Sequence, residues 1–337
     1  MKRFLPAAMI ASALLAGSFS VVRAADAPQT LGLTVSPPSF ELSANPGDTI
    51  DNSIRITNNS PDAVTFEVTV QDFIVQGTEG SVTVTSDDNP GAFSKFFRFP
   101  QTQFHLNSGQ GVEVPFSIVL PKTAEPGGQF ASVLFQPKVV SSTSQTGAKV
   151  VQRVGSLILM KVSGNIKEDG RILSFKPKTY VGQWDEVTAS DGKTKILVAK
   201  DEKLGDEKSQ KFFNNGPIAF DLLVKNNGNV HFKPAGTVTI YNLFGQKVDQ
   251  LALDPHNVFP GGERRTTVIW SKKTFWGGYY RAQVAAVYGS KNEVLTAETW
   301  LWAFPTGAAI IILVLLVVII LARRRLWRAI RILAKGR

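Results

Sequence analysis

Cysteine is absent from the chain, and only three histidines and three methionines occur in its 337 residues. Without cysteine there can be neither a disulfide framework nor a thiolate metal site, so the fold depends on hydrophobic cores. The histidines are scattered at His105, His231 and His256, and no HExxH, GxSxG or GxxxxGK[ST] pattern is present. Zinc hydrolysis, serine-nucleophile chemistry and nucleotide binding therefore lack a motif, and a non-enzymatic protein without a cofactor is expected. Asp87, Asp88 and Asn89 could offer oxygens to a calcium ion, but beside Pro90 and Gly91 they read first as a turn. His231 follows the turn in NNGNVHF, where bonding to local backbone is expected.

Acidic residues are missing from both ends. The first 24 residues hold Lys2, Arg3 and Arg23, and the tail from Arg323 holds seven basic residues, with no Asp or Glu in either piece. Removing these from the 37 basic residues leaves 27, equal to the 27 acidic residues, all of which lie in the middle. The formal charge of +10 is thus confined to the ends, and a basic nucleic-acid groove has no support.

Each end has its own physical reading. MKRFLPAAMIASALLAGSFSVVRA has the charged start, apolar stretch and small residues of a secretory signal peptide over residues 1–24, with cleavage expected after Ala24 or alternatively Ala27. WLWAFPTGAAIIILVLLVVIILA, residues 300–322, is uncharged and long enough for a transmembrane helix, for which about 20 apolar residues suffice. Arg323, Arg324 and Arg325 behind it orient the chain with residues 323–337 in the cytoplasm and the N-terminal bulk outside. In the tail Leu326, Trp327, Ile330 and Leu333 fall on one helical face, as in a helix resting on membrane lipid.

Between the ends, no amphipathic helix of useful length is apparent. Val64, Phe66, Val68 and Val70 alternate with polar residues, as do Val112, Val114, Phe116 and Ile118. Turn signals such as NPGD, NNSPD and NSGQG separate these runs, which is the pattern of an all-β sandwich. The pattern recurs. IRITNNSPDAVTFEVTV from Ile54 echoes FDLLVKNNGNVHFKPAGTVTI from Phe220, and VPFSIVLPKTAEPGGQFASVLF from Val114 echoes TTVIWSKKTFWGGYYRAQVAAVY from Thr266. The order is the same in both halves, so two related modules are predicted, at residues 31–165 and 170–299. Residues Glu79 to Phe93 read as an insertion in the first, and Asp191-Gly192 as a hairpin turn in the second.

Phe93, Phe96, Phe97, Phe99 and Phe104 crowd one short stretch. Strict alternation cannot bury all five on one face, so Phe96, Phe97 and Phe99 are candidates for an outward contact surface as well as for core. Trp276, Tyr279 and Tyr280 read as core and corner residues.

With two modules, an anchor and a basic tail, the chain resembles the WxL-interacting proteins of bacterial cell surfaces. The resemblance is carried by LTVSPPSFELSANPGDTIDNSIRITNNS and FHLNSGQGVEVPFSIVLPKTAEPGGQFASVLF in the first module. In the second it is carried by FDLLVKNNGNVHFKPAGTV, WGGYYRAQVAAVYG and AETWLWAF. It implies two immunoglobulin-like β-sandwich domains before one transmembrane helix, the first module contacting peptidoglycan and the second a cell-surface protein. The expectation is a plasma-membrane binding or scaffold protein with membrane lipid but no nucleic acid as partner. The alternative is an envelope assembly chaperone that pairs strand edges with exported subunits. A free pair of basic residues in the cleft would favour that alternative; Arg153 and Lys161 share the last strand of the first module without forming an obvious pair.

Overall fold

A computed structural model describes residues 32–85, 91–138, 153–179, 184–188, 195–199, 210–272 and 277–335. The expected signal cleavage site, the candidate calcium ligands Asp87 to Asn89, Trp276 and the Asp191-Gly192 turn lie outside the described residues.

The first half builds ten strands: β1 Leu33–Ser36, β2 Ser39–Ala44, β3 Thr49–Asn58, β4 Val64–Gln76, β5 Ser81–Val84, β6 Phe97–Arg98, β7 Gln103–Leu106, β8 Gly111–Val119, β9 Gly127–Pro137 and β10 Val154–Val162. One sheet has the order β1-β3-β8-β6, and the other β2-β10-β9-β4-β5 with β7 also on β4. Pro37 and Pro38, which offer no backbone N–H, break the ladder between β1 and β2, so the chain crosses from the first sheet to the second. There β2 runs parallel to β10. The inward residues of alternating strands, among them Ile54, Ile56, Phe66, Val114, Phe116, Phe135 and Ile158, form one closed core.

The second half repeats the plan with β11 Gly170–Thr179, β12 Trp184–Thr188, β13 Lys195–Ala199, β14 Phe212–Phe213, β15 Ile218–Asn226, β16 Ala235–Asn242, β17 Lys247–Ala252, β18 Glu263–Trp270, β19 Gly278–Tyr288 and β20 Glu293–Ala303. Sheet β11-β15-β18 faces sheet β14-β20-β19-β16-β17, and β12 and β13 form a separate antiparallel pair. Here β14 runs parallel to β20, as β2 does to β10. Phe220, Leu222, Trp270, Val284 and Leu301 lie in the second core.

The echoed Asn-Asn turns are equivalent in detail. Asn58 and Asn226 are both fully buried at the ends of β3 and β15. Asn58 Nδ2 donates to the carbonyls of Asp62 at 2.8 Å and Leu106 at 3.1 Å, and Asn226 Nδ2 to those of Val230 at 2.7 Å and Val258 at 2.9 Å. Their Oδ1 atoms accept from Ser60 N and Gly228 N at 3.0 and 2.8 Å. Each amide thus supplies partners to backbone groups that the turn leaves without a ladder.

The aromatic segment departs from expectation. Phe93–Phe96 is a 3-10 turn whose Phe93 and Ser94 N–H groups donate to the Asp72 carboxylate at 2.9 and 2.6 Å. Side chains on a turn do not follow strand alternation, so several rings can point the same way. Phe97 is 7 % exposed and packs on Phe93 and Phe116, while Phe96 and Phe99 are half-buried against the same core. Of the three candidates for an outward contact surface, Phe97 thus belongs to the core, while Phe96 and Phe99 stand half-buried at its margin, Phe96 lining an open cavity beside Gly91 and Leu120.

The C-terminal helix α1, Thr306–Lys335, starts later than the apolar run. Trp300, Leu301, Trp302 and Ala303 complete β20, alternating out and in, and only Phe304 and Pro305 separate the strand from α1. Arg323, Arg324 and Arg325 sit within α1, continuous with the tail. Ile310 through Leu321 are all exposed around the helix. Among the described residues no helix is long and apolar enough to cross a membrane.

Candidate functional site

The two sandwiches meet along a joint with three parts. At its centre is the linker: Asn229 Nδ2 donates to Asn165 O at 2.9 Å, and its Oδ1 accepts Lys167 N at 2.8 Å. Its carbonyl accepts Gly128 N from the first sandwich at 2.7 Å. Gly127 has φ +127° there, and a Cβ on it would stand 2.8 Å from the Asn229 carbonyl, so this approach requires glycine. On one flank the β4–β5 turn reaches the outer edge of β18, where Thr78 O accepts Arg265 N at 2.7 Å and Glu79 O accepts from the Arg264 guanidinium. Beside the linker lies an aromatic cluster in which Phe130 packs on Phe259 at 5.0 Å and on His231 at 5.5 Å.

Next to this cluster a cleft of about 310 Å³ opens, lined among others by Glu41 on β2, Lys161 on β10, Glu168 in the linker, and His231, Lys233 and Asn257 from the second sandwich. Lys233 Nζ lies 3.0 Å from Glu41 Oε1, which also accepts from Asn257 Nδ2 at 3.2 Å. Lys161 Nζ lies 3.0 Å from Glu168 Oε1, and Ser290 N and Oγ donate to Glu168 Oε2 at 2.7 and 2.8 Å. Burial pushes both carboxyls up, but these hydrogen bonds outweigh it and hold each below its ordinary value. Both cleft lysines are thus neutralised. Arg153 lies just before β10 rather than on it, and is exposed.

His231 does not make the local backbone bond expected of it. The residue is 8 % exposed, and Nδ1 is buried with no hydrogen-bond partner. Burial brings its pKa down to about 4, opposed by Glu41 and assisted by Lys161 and Lys233. Among the described residues no group of three or more His, Asp or Glu side chains is placed to hold a metal ion.

A second feature is a sheet edge that no described strand pairs over most of its length, with β11 of the facing sheet close beside it. β20 pairs with β19 along its whole length, but on its other side only Trp302 and Ala303 are met, by β14. Trp302 N donates outward to Lys211 O at 2.7 Å, so in this unbroken register the N–H and C=O of Val294, Thr296, Glu298 and Trp300 also point outward. No described strand pairs with that edge from Glu293 to Leu301. Two other edges are blunted. On β8 the outward position opposite Ser53 is Pro115, beside exposed Glu113, and the edge of β18 is covered by the β4–β5 turn.

Sequence reasoning placed Lys161 on the last strand of its module but missed its partner Glu168 and the whole of the cleft. Glu41 and Lys233 are 192 residues apart, and no local pattern signals such a pair.

No protein-family model and no curated protein matches the chain. Solved structures with a similar strand arrangement include the class 5 fimbriae chaperone CfaA, at 12 % identity and TM-score 0.37, covering 80 % of this chain and 98 % of that one. The Escherichia coli chaperone DraB matches at 9 % identity and TM-score 0.35, covering 80 % and 97 %. The Pseudomonas aeruginosa CupB2 chaperone matches at 8 % identity and TM-score 0.32, covering 79 % and 98 %. At such identities and scores the likeness carries no functional argument.

Proposed function

We propose that the protein is a single-pass envelope protein that binds an extended segment of an exported partner protein along the open edge of β20, acting without catalysis and in the manner of an assembly chaperone. The supporting observation is the row of outward backbone groups at Val294, Thr296, Glu298 and Trp300, with which no described strand pairs. Edge addition supplies affinity through main-chain hydrogen bonds and selectivity through alternate side chains. The helix Thr306–Lys335 tethers the molecule, with Arg323, Arg324 and Arg325 on the cytoplasmic side and both sandwiches outside.

A durable scaffold is the second reading, in which a surface protein or wall polymer is held near the membrane as the WxL-interacting resemblance implies. It is favoured by the neutralised lysines of the cleft, which leave Lys161 and Lys233 no free charge to anchor a passing subunit.

Photo-crosslinking residues placed at Thr296 and Glu298 in living cells test the edge, with Glu113 on the blocked β8 edge as control. Discrete protein adducts are expected at the first two positions. Adducts that decay during a chase indicate a chaperone, and adducts that persist indicate a scaffold. The same pattern at all three positions, or none, removes the proposal.

A further inference from the structure

The end of the second sandwich nearest α1 carries apolar residues that the fold does not need. Across sheet β14-β20-β19-β16, register aligns Phe212 with Trp302, Trp302 with Tyr279, and Tyr280 with Asn242. The β16–β17 turn, Asn242 to Gln246, therefore projects from the same end as Ala303 and the start of the helix. Asn242 closes this turn by accepting Phe244 N and Gln246 N on Oδ1 at 3.0 and 2.9 Å, and Gly245 takes φ +73°. With Asn and Gly doing the structural work, the two remaining positions could hold polar residues, as turn tips usually do. They are instead Leu243, 65 % exposed, and Phe244, 84 % exposed. Phe212 at 69 % and Trp302 at 41 % are exposed on the same end.

We infer that this end of the second sandwich is a lipid-contact surface, with Leu243 and Phe244 entering the headgroup region of the bilayer that α1 spans. The inference rests on the membrane tether proposed above. Its occupant follows from continuity. Gly278 pairs with Ala303, which puts Phe244 near the level of Ala303, three residues before the first helical residue, a reach of at most roughly 10 Å of extended chain. A bilayer entered at Thr306 brings its interfacial zone to Trp302, Phe212 and the turn, and that zone favours aromatic side chains. Lys211 stands over the Trp300 ring at 3.6 Å, giving the face a cation beside the rings. The sandwich is thereby seated on the membrane at two places, the helix and the turn, and β20 is held at a fixed tilt.

The chain has no cysteine, so single-cysteine labelling of the full protein is clean. The protein is reconstituted in phosphatidylcholine vesicles with an environment-sensitive fluorophore on Gln246→Cys, on Lys291→Cys at the opposite end of the sandwich, or on Leu316→Cys within the helix. Quenchers carried on the lipid just below the headgroup are expected to quench position 246 and not 291, with aqueous iodide giving the reverse. Adding Leu243→Ser and Phe244→Ser should abolish lipid quenching at 246 and leave it unchanged at 316. If 246 behaves like 291 while 316 is lipid-quenched, the contact surface is refuted and the tether stands. If 316 is itself quenched by iodide, the tether fails and the contact surface with it.

Discussion

Asp221 shows how much a single side chain can decide. It lies on the outer face of β15, yet it is 5 % exposed, with Lys178 Nζ 2.5 Å from Oδ2 and Arg265 Nε 3.6 Å from Oδ1. Removing one partner of a buried pair leaves the other charge uncompensated, so Asp221→Ala should cost about 3–5 kcal/mol in denaturant unfolding. His231 behaves in the opposite way. Its Nδ1 has no partner to lose, so His231→Leu should be neutral or stabilising at pH 7. Because burial holds its pKa near 4, below the ordinary value of 6.5, the unfolded chain takes up a proton in that interval and the folded chain does not. Stability contributed by neutral His231 is therefore full above 6.5 and falls by up to roughly 3 kcal/mol as pH drops to 4. The facing groups Glu41 and Glu168, both lowered, add losses in the same direction at lower pH. Unfolding curves between pH 4 and 7 should be steeper for the natural chain than for His231→Leu. Equal slopes would show that the imidazole is protonated in the folded state.

At the scale of elements, the two sides of β20 are unequal, and proline tells them apart. At Thr296 the N–H points to the open flank, so Thr296→Pro should leave the melting temperature nearly unchanged while abolishing the crosslinks to a partner. At Ala297 it points to β19, so Ala297→Pro removes a ladder bond and should destabilise by about 1–3 kcal/mol. Thermal melts of the two variants decide the matter; equal losses would mean that the outward parity is misassigned. The strands themselves were legible from period-two alternation, and the paired Asn turns from repetition. Around Phe93 a 3-10 turn replaces the strand, so alternation does not say which rings face inward, and the helix begins after the apolar run does because Trp300 and Trp302 are apolar residues on the outer face of a strand.

For the whole molecule, the question is whether the sandwiches move as one. Asn229 joins both halves and the linker, and Asn229→Ala removes two side-chain hydrogen bonds worth about 1 kcal/mol each while leaving both cores intact. The expected result is a larger radius of gyration in small-angle scattering and faster proteolysis near residue 165, with the far-ultraviolet circular dichroism unchanged. An unchanged radius would place the rigidity of the joint in the Phe130–Phe259 cluster and the Thr78–Arg265 contact instead.

The order of residues alone determined the β character, the repeat and the apolar C-terminal run, since each is a pattern of neighbours read at period two or as unbroken hydrophobicity. Which charges meet, which rings turn inward and which strand edge stays open were decided only in three dimensions. Glu41 finds Lys233, and Thr78 covers β18, across distances in sequence that no local period records. Those long-range meetings neutralise the cleft and cover β18, while the edge of β20 has no partner strand among the described residues from Glu293 to Leu301.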